Sequence, residues 1–289
     1  MMKAFTTFCL LSLSTLVGSG QVSLSMKMDR KQYLEHEPVS AVVTITNRSG
    51  RELTFTSRLD GRIAHSWLDF SMRNSSGRPV TKLHHKVFKK AVIPAGRSMS
   101  RRVYLNGIFS VAKTGNYSVT AQVRQPGIDE TAYGSNSAHF TVGGGSVLHQ
   151  VPFGVPDSPA TKREYKVISF NDGRRTSIYA QVMNTMTGQS ISTLRLSEYL
   201  TFIKPQIALD RENRMHVLYL GTPEVFVETT VNQDGQLIET NYFKRAGGRK
   251  PRFVAFSDGK VVVSGAIPFD PEKEAASAPK ARKASERPQ

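Results

Sequence analysis

Glu224, Glu228 and Glu239 lie close together in this chain. Neighbouring carboxylates are what acid–base cleavage of a glycosidic bond needs, one to protonate the leaving oxygen and one to activate water or attack. Their flanking residues alternate as strand residues do, so the same pattern also describes a solvated sheet face. A second grouping is cationic: Lys82-Leu83-His84-His85-Lys86-Val87-Phe88-Lys89-Lys90, followed by Arg97, Arg101 and Arg102. Lys86, Lys89, Lys90, Arg97, Arg101 and Arg102 are the candidates for gripping an acidic partner while Val87 and Phe88 pack. Lysines in such a run also guard edge strands against pairing with another chain. His84 and His85 would point to opposite faces of a strand, and no third ligand accompanies them, so no metal site is predicted. His216, between Met215 and Val217, reads as a strand-face histidine. No nucleophile elbow, zinc-protease helix, phosphate loop, dinucleotide fingerprint or calcium loop is present, so no cofactor and no enzymatic activity are expected.

These residues need elements to hold them. Residues 1–20 read as a signal peptide: Lys3, then an apolar run from Ala4 to Val17, then small residues Gly18-Ser19-Gly20 before a cut at Gln21. The chain is therefore expected in the periplasm or outside the cell. Its one cysteine, Cys9, lies in that leader, so the exported chain has neither a disulfide nor a cysteine nucleophile and must rely on its core. The net charge is +16, and residues 21–145 carry 18 basic against 8 acidic side chains. The excess thus belongs to the first half. The acidic partners available to an exported protein are an anionic membrane surface, an acidic glycan, or an envelope or extracellular protein; its address argues against nucleic acid.

The pattern predicts an all-β protein. Val39, Ala41, Val43 and Ile45 alternate with Ser40, Thr44 and Thr46 before the Asn47-Arg48-Ser49-Gly50 turn. Val22–Met28, Trp67–Arg73 and Gly115–Val123 repeat that alternation, and turn signals separate about eight short strands. Gly115-x-Tyr117-x-Val119-x-Ala121, with Glu37-Pro38-Val39 and Ile93-Pro94-Ala95-Gly96 before it, resembles bacterial immunoglobulin-like domains of the BsuPI proteinase-inhibitor and macroglobulin types. The resemblance implies a β-sandwich over residues 21–142 in which the Tyr117 hydroxyl bonds back to the main chain. It also implies protease inhibition as a function, for which the loops Leu83–Ala91 and Arg124–Tyr133 are the long candidates.

Gly143-Gly144-Gly145-Ser146 opens a Gly/Pro-rich segment, residues 143–160, read as a flexible linker. Residues 161–269 then show strand–turn–strand units with Asp at 172, 210 and 258, spacings that bracket a propeller blade. This half is similar to β-propeller repeats, but it is too short to close a ring. An open meander of two and a half blades is expected, with a second small sandwich or closure through another copy as alternatives. Residues 270–289 have no Val, Ile, Leu or aromatic residue and read as a disordered tail. The resulting expectation is an exported, non-catalytic binding or scaffolding protein whose basic domain meets an acidic partner. The alternatives are a protease inhibitor or a glycan-active enzyme.

Overall fold

The structure, a computed structural model, describes residues 21–60, 63–111, 113–124, 132–155 and 158–277. The leader read at residues 1–20 lies outside these. In the first half the strands are β1 (Val22–Met28), β2 (Gln32–Leu34), β3 (Ser40–Asn47), β4 (Leu53–Phe55), β5 (Arg58–Asp60), β6 (Ile63–His65), β7 (Leu68–Asn74), β8 (Ala91–Ile93), β9 (Ser98–Tyr104), β10 (Gly115–Val123), β11 (Tyr133–Gly134) and β12 (Ala138–Gly143). One sheet runs β1-β3-β9. A second places β10 between β7 and β12, with β2 parallel to β12 on the far side. The pairs β4–β8 and β5–β6 complete this half.

The alternation read from the sequence is the alternation that packs. Ala41, Val43 and Ile45 of β3 are buried, as are Leu24 and Met26 of β1, Phe70 and Met72 of β7, and Val119 and Ala121 of β10. They share one core with Trp67, Phe55 and Phe88, so the two sheets face each other as a sandwich. Asn47 is fully buried at the end of β3. Its Nδ2 donates to the carbonyls of Arg51 and Ile93, and its Oδ1 accepts from Ser49 N–H. The predicted turn is thereby stitched to β8. The Tyr117 hydroxyl donates to the Lys113 carbonyl at 2.6 Å, the contact the resemblance implied.

The second half holds β13 (Ser146–Val155), β14 (Ser158–Asn171), β15 (Thr176–Asn184), β16 (Ser190–Glu198), β17 (Gln206–Leu209), β18 (Met215–Leu220), β19 (Val225–Val231), β20 (Leu237–Arg245), β21 (Arg252–Ala255), β22 (Val261–Ser264), β23 (Ala266–Phe269) and α1 (Pro271–Ser277). β13 to β16 form one antiparallel meander. β17 to β20 form another, which β23 joins at the β20 edge. The two pack over Tyr165, Val167, Ile178, Val182, Met215, Val217, Tyr219 and Val231. The opposite face of the second meander, Leu218, Leu220 and Phe226, is covered by Phe253 and Val263 of the β21–β22 hairpin. None of these sheets closes into a barrel or a ring among the described residues.

Three local readings differ from what the structure holds. The stretch 143–160 carries β13, paired along its length with β14. At its start Gly145 serves close packing. A Cβ on Gly145 would stand 2.5 Å from Ile168 Cγ2 and 2.8 Å from the Ser169 carbonyl oxygen. Within the tail read as disordered, residues 271–277 form α1, which Asp270 caps by accepting from Glu272 N–H at 3.0 Å. The Asp turns are real: Asp172, Asp210 and Asp258 each accept a backbone N–H of their own hairpin. They join non-equivalent strand pairs, however. Asp172 lies between the second and third strands of its meander, whereas Asp210 lies between the first and second of the next.

Candidate binding surface

β9 is the edge of its sheet, hydrogen-bonded only to β3 among the described residues. Its side chains alternate. Arg101 shares a face with Met99 and Val103, toward the core, whereas Arg102 and Tyr104 point to solvent. The Arg101 guanidinium lies 5.7 Å from the ring centres of both Trp67 and Phe88. The Lys86 ammonium sits 5.5 Å from the Phe88 ring centre as well. Two cations from separate segments therefore converge on one buried aromatic ring, a geometry in which ring quadrupole and positive charge attract.

Phe88 holds this arrangement in place. Its ring is 5% exposed and packs at 6.1 Å from both Trp67 and Phe70. Its carbonyl accepts from Ser57 Oγ, and the next carbonyl, that of Lys89, accepts from the Trp67 indole N–H at 3.1 Å. The segment is tied at its start as well, where Leu83 N–H donates to the Ile108 carbonyl at 2.8 Å. Between these anchors residues 83–87 are all exposed. Lys82 is engaged with Asp69, its ammonium 2.7 and 2.9 Å from the two carboxylate oxygens.

The six predicted cations thus divide. Lys86 and Arg101 meet over Phe88, and Lys89 and Lys90 follow directly in chain. Arg97 stands in the β8–β9 turn, and Arg102 projects from the opposite face of β9 to Arg101. Among the described residues none of the six forms an ion pair, whereas Lys82, Lys166 and Lys244 each do. His84 and His85 are exposed, and no group of three or more His, Cys, Asp or Glu is arranged to hold a metal among the described residues. Of the two loops suggested for inhibition, Leu83–Ala91 is the anchored segment just described, and most of Arg124–Tyr133 lies outside the described residues.

The carboxylate set resolves differently. Glu224 is exposed in the β18–β19 turn. Glu228 is 7% exposed, and Glu239 is exposed on β20, cross-strand from Thr230 on the same face. Glu228 Oε1 accepts from His216 Nδ1 at 3.0 Å, and Asp210 Oδ2 lies 3.3 Å from His216 Nε2. Thr230 Oγ1 is also within 3.2 Å of Nδ1. Burial opposes protonation of His216, but the two facing carboxylates outweigh it and raise its pKa above the ordinary imidazole value. Burial likewise penalises ionised Asp210, and the backbone N–H and guanidinium of Arg214 together with His216 hold its pKa below the usual carboxylate value. The result is an imidazole held between two carboxylates that favour its protonated form. Both imidazole nitrogens have a carboxylate partner.

A third polar cluster joins the two halves, and sequence reasoning did not find it. Glu37 is 3% exposed. Its Oε1 accepts from Arg30 Nη2 at 2.5 Å, and its Oε2 accepts from the Tyr179 hydroxyl at 3.1 Å and from Leu34 N–H at 3.0 Å. Arg30 Nη1 in turn donates to the Tyr179 hydroxyl at 3.1 Å, closing a triangle. Burial and the nearby Glu37 charge push the Tyr179 pKa up to about 12. Leu34 packs beside it on Ile168, Phe170 and Tyr179. The sequence shows only a Glu three residues after Leu34 and ahead of Pro38; that both are buried is visible in the fold alone.

No family model matches the chain, and no curated protein matches it. Among solved structures, the sporulation control protein Spo0M of Bacillus subtilis is similar over 62% of this chain and 91% of its own, at 11% identity and a TM-score of 0.29. The Salmonella enterica SafA pilin–SafB chaperone complex is similar over 77% of this chain and 96% of the matched chain, at 11% identity and a TM-score of 0.25. The Pseudomonas fluorescens alkylpurine DNA glycosylase AlkC matches over 43% of this chain, at 15% identity and a TM-score of 0.27; this chain covers 30% of its length. At such TM-scores these likenesses carry no argument.

Proposed function

We propose that this is an exported, non-catalytic binding protein whose basic N-terminal sandwich recognises an acidic partner. One observation carries the reading: Lys86 and Arg101 converge on Phe88, continuous with Lys89 and Lys90, and none of the four has a carboxylate partner among the described residues. Cations held without counter-charges on a well-packed base are available to an incoming anion at little reorganisation cost. The Tyr117–Lys113 contact supports an immunoglobulin-like first half, and the two successive four-stranded meanders support an open, propeller-like second half. The engagement of Glu228 with His216 gives no support to the glycan-active alternative.

The test is binding of the exported chain to an immobilised polyanion such as heparin across a salt series. Binding weakens steeply with salt, and K86E/K89E/K90E elutes at markedly lower salt than the parent. Salt-independent binding, or unchanged elution of the triple variant, overturns the reading. A second reading, protease inhibition, draws on the same segment: residues 83–87 are exposed between two anchored ends, which is what a loop docking in a protease cleft requires. Residual activity of serine and metalloproteases in the presence of the chain decides it.

A further inference from the structure

Resting on that reading, we propose that the acidic partner is an anionic phospholipid surface, and that residues 83–90 are the element that docks on it. The inference comes from the apolar residues set among the cations. Leu83 is 51% exposed and Val87 is 49% exposed. Both stand in the exposed stretch 83–87, held at one end by Leu83 N–H on the Ile108 carbonyl and at the other by Phe88 and Lys89. Lys86 lies between them, Lys89 and Lys90 follow, and Arg101 reaches the same Phe88 ring from β9. There is no carboxylate in residues 83–90, and the nearby Asp69 is engaged by Lys82.

Acidic glycans reward the cations but offer no apolar phase to a leucine and a valine held in water. A bilayer rewards both. Lysine and arginine meet the negative headgroups, and short apolar side chains enter the boundary just beneath. The anchored ends matter, because the segment is presented already ordered and loses little conformational freedom on docking. The outward cation of β9, Arg102, leaves from the other face and is not part of this contact.

The experiment is sedimentation of the chain, purified after export with residues 1–20 removed, with vesicles of phosphatidylcholine alone or mixed with phosphatidylglycerol. Heparin binding is followed in parallel. The parent sediments with the phosphatidylglycerol vesicles and stays in solution with phosphatidylcholine alone. K86E/K89E/K90E loses both vesicle and heparin binding. L83S/V87S weakens vesicle binding by about tenfold, from the apolar area withheld from the bilayer, and leaves heparin binding unchanged. Both apolar positions are already exposed, so circular dichroism of L83S/V87S matches the parent. V87W gives a fluorescence signal that is quenched by brominated phosphatidylglycerol.

Equal vesicle binding by L83S/V87S and parent, or absence of quenching in V87W, overturns the membrane inference. Heparin binding without vesicle binding also overturns it, assigning the surface to a glycan or an acidic protein and leaving the broader reading intact. Failure to bind either probe removes both.

Discussion

The two halves of this molecule bury their sheets differently. In the first half each main sheet has one face on a shared core and the other in water, so β1, β3 and β10 read as alternating buried and open positions. In the second half the central strands are covered on both faces. β15 and β19 are buried almost continuously, and β18 departs from that only at His216. The difference decides where charge can sit. A one-faced sheet can leave Arg102 in water without a partner. A doubly covered sheet must neutralise what it encloses, as Asp210, Glu228 and Arg214 do around His216.

The largest expected effect lies in the first half. Trp67 is 1% exposed, packs on Phe55 and Phe88 and donates to Lys89, so W67A costs about 3–5 kcal/mol from lost contact and the cavity left behind. Urea unfolding measures it. A cost near zero would mean that the sandwich core is not closed around this ring. In the second half, E228A leaves His216 facing one carboxylate in place of two and costs about 3 kcal/mol, whereas E228Q, which keeps an acceptor, costs less. An E228Q protein as stable as the parent would show that the charge is irrelevant and the contrast between the halves false.

The smallest effect is the pH dependence of the same cluster. The charged groups facing His216 are Asp210 from the β17–β18 turn and Glu228 from β19, with Arg214 bound to Asp210. Because the folded pKa of His216 is raised, its contribution is complete below the unfolded value near 6.5 and is lost as pH rises through the folded value. As pH rises through that folded value the parent therefore loses stability that H216Q does not lose. Parallel stability curves for parent and variant would remove the imidazolium from the account.

How much of this could be read in advance follows from the same difference. The strands of the sandwich are legible because a one-faced strand writes its burial as alternation, and Val43, Phe70 and Val119 are inside as the pattern requires. Residues 161–269 announce strands and Asp turns but not their equivalence, since a strand covered on both faces shows a run and no phase. The cations were visible as a list; that Arg101 joins Lys86 at Phe88 depends on the fold that brings β9 beside that segment. The His216 clamp was hidden for a related reason, because its carboxylates arrive from a turn and from a neighbouring strand through pairing register. Gly145 misleads in the other direction. Glycine suits both a loose joint and a place with no room for a Cβ, and only the nearness of Ile168 distinguishes them.

The triangle of Arg30, Glu37 and Tyr179 has a mechanical corollary. It ties the second half to the first beside a backbone with no room for a Cβ at Gly145, so β15 shares a buried polar contact with the β2–β3 turn as well as an apolar one with β2. Loss of the polar contact in Y179F would therefore leave the Glu37 carboxylate short of one of its three donors at the join between the halves.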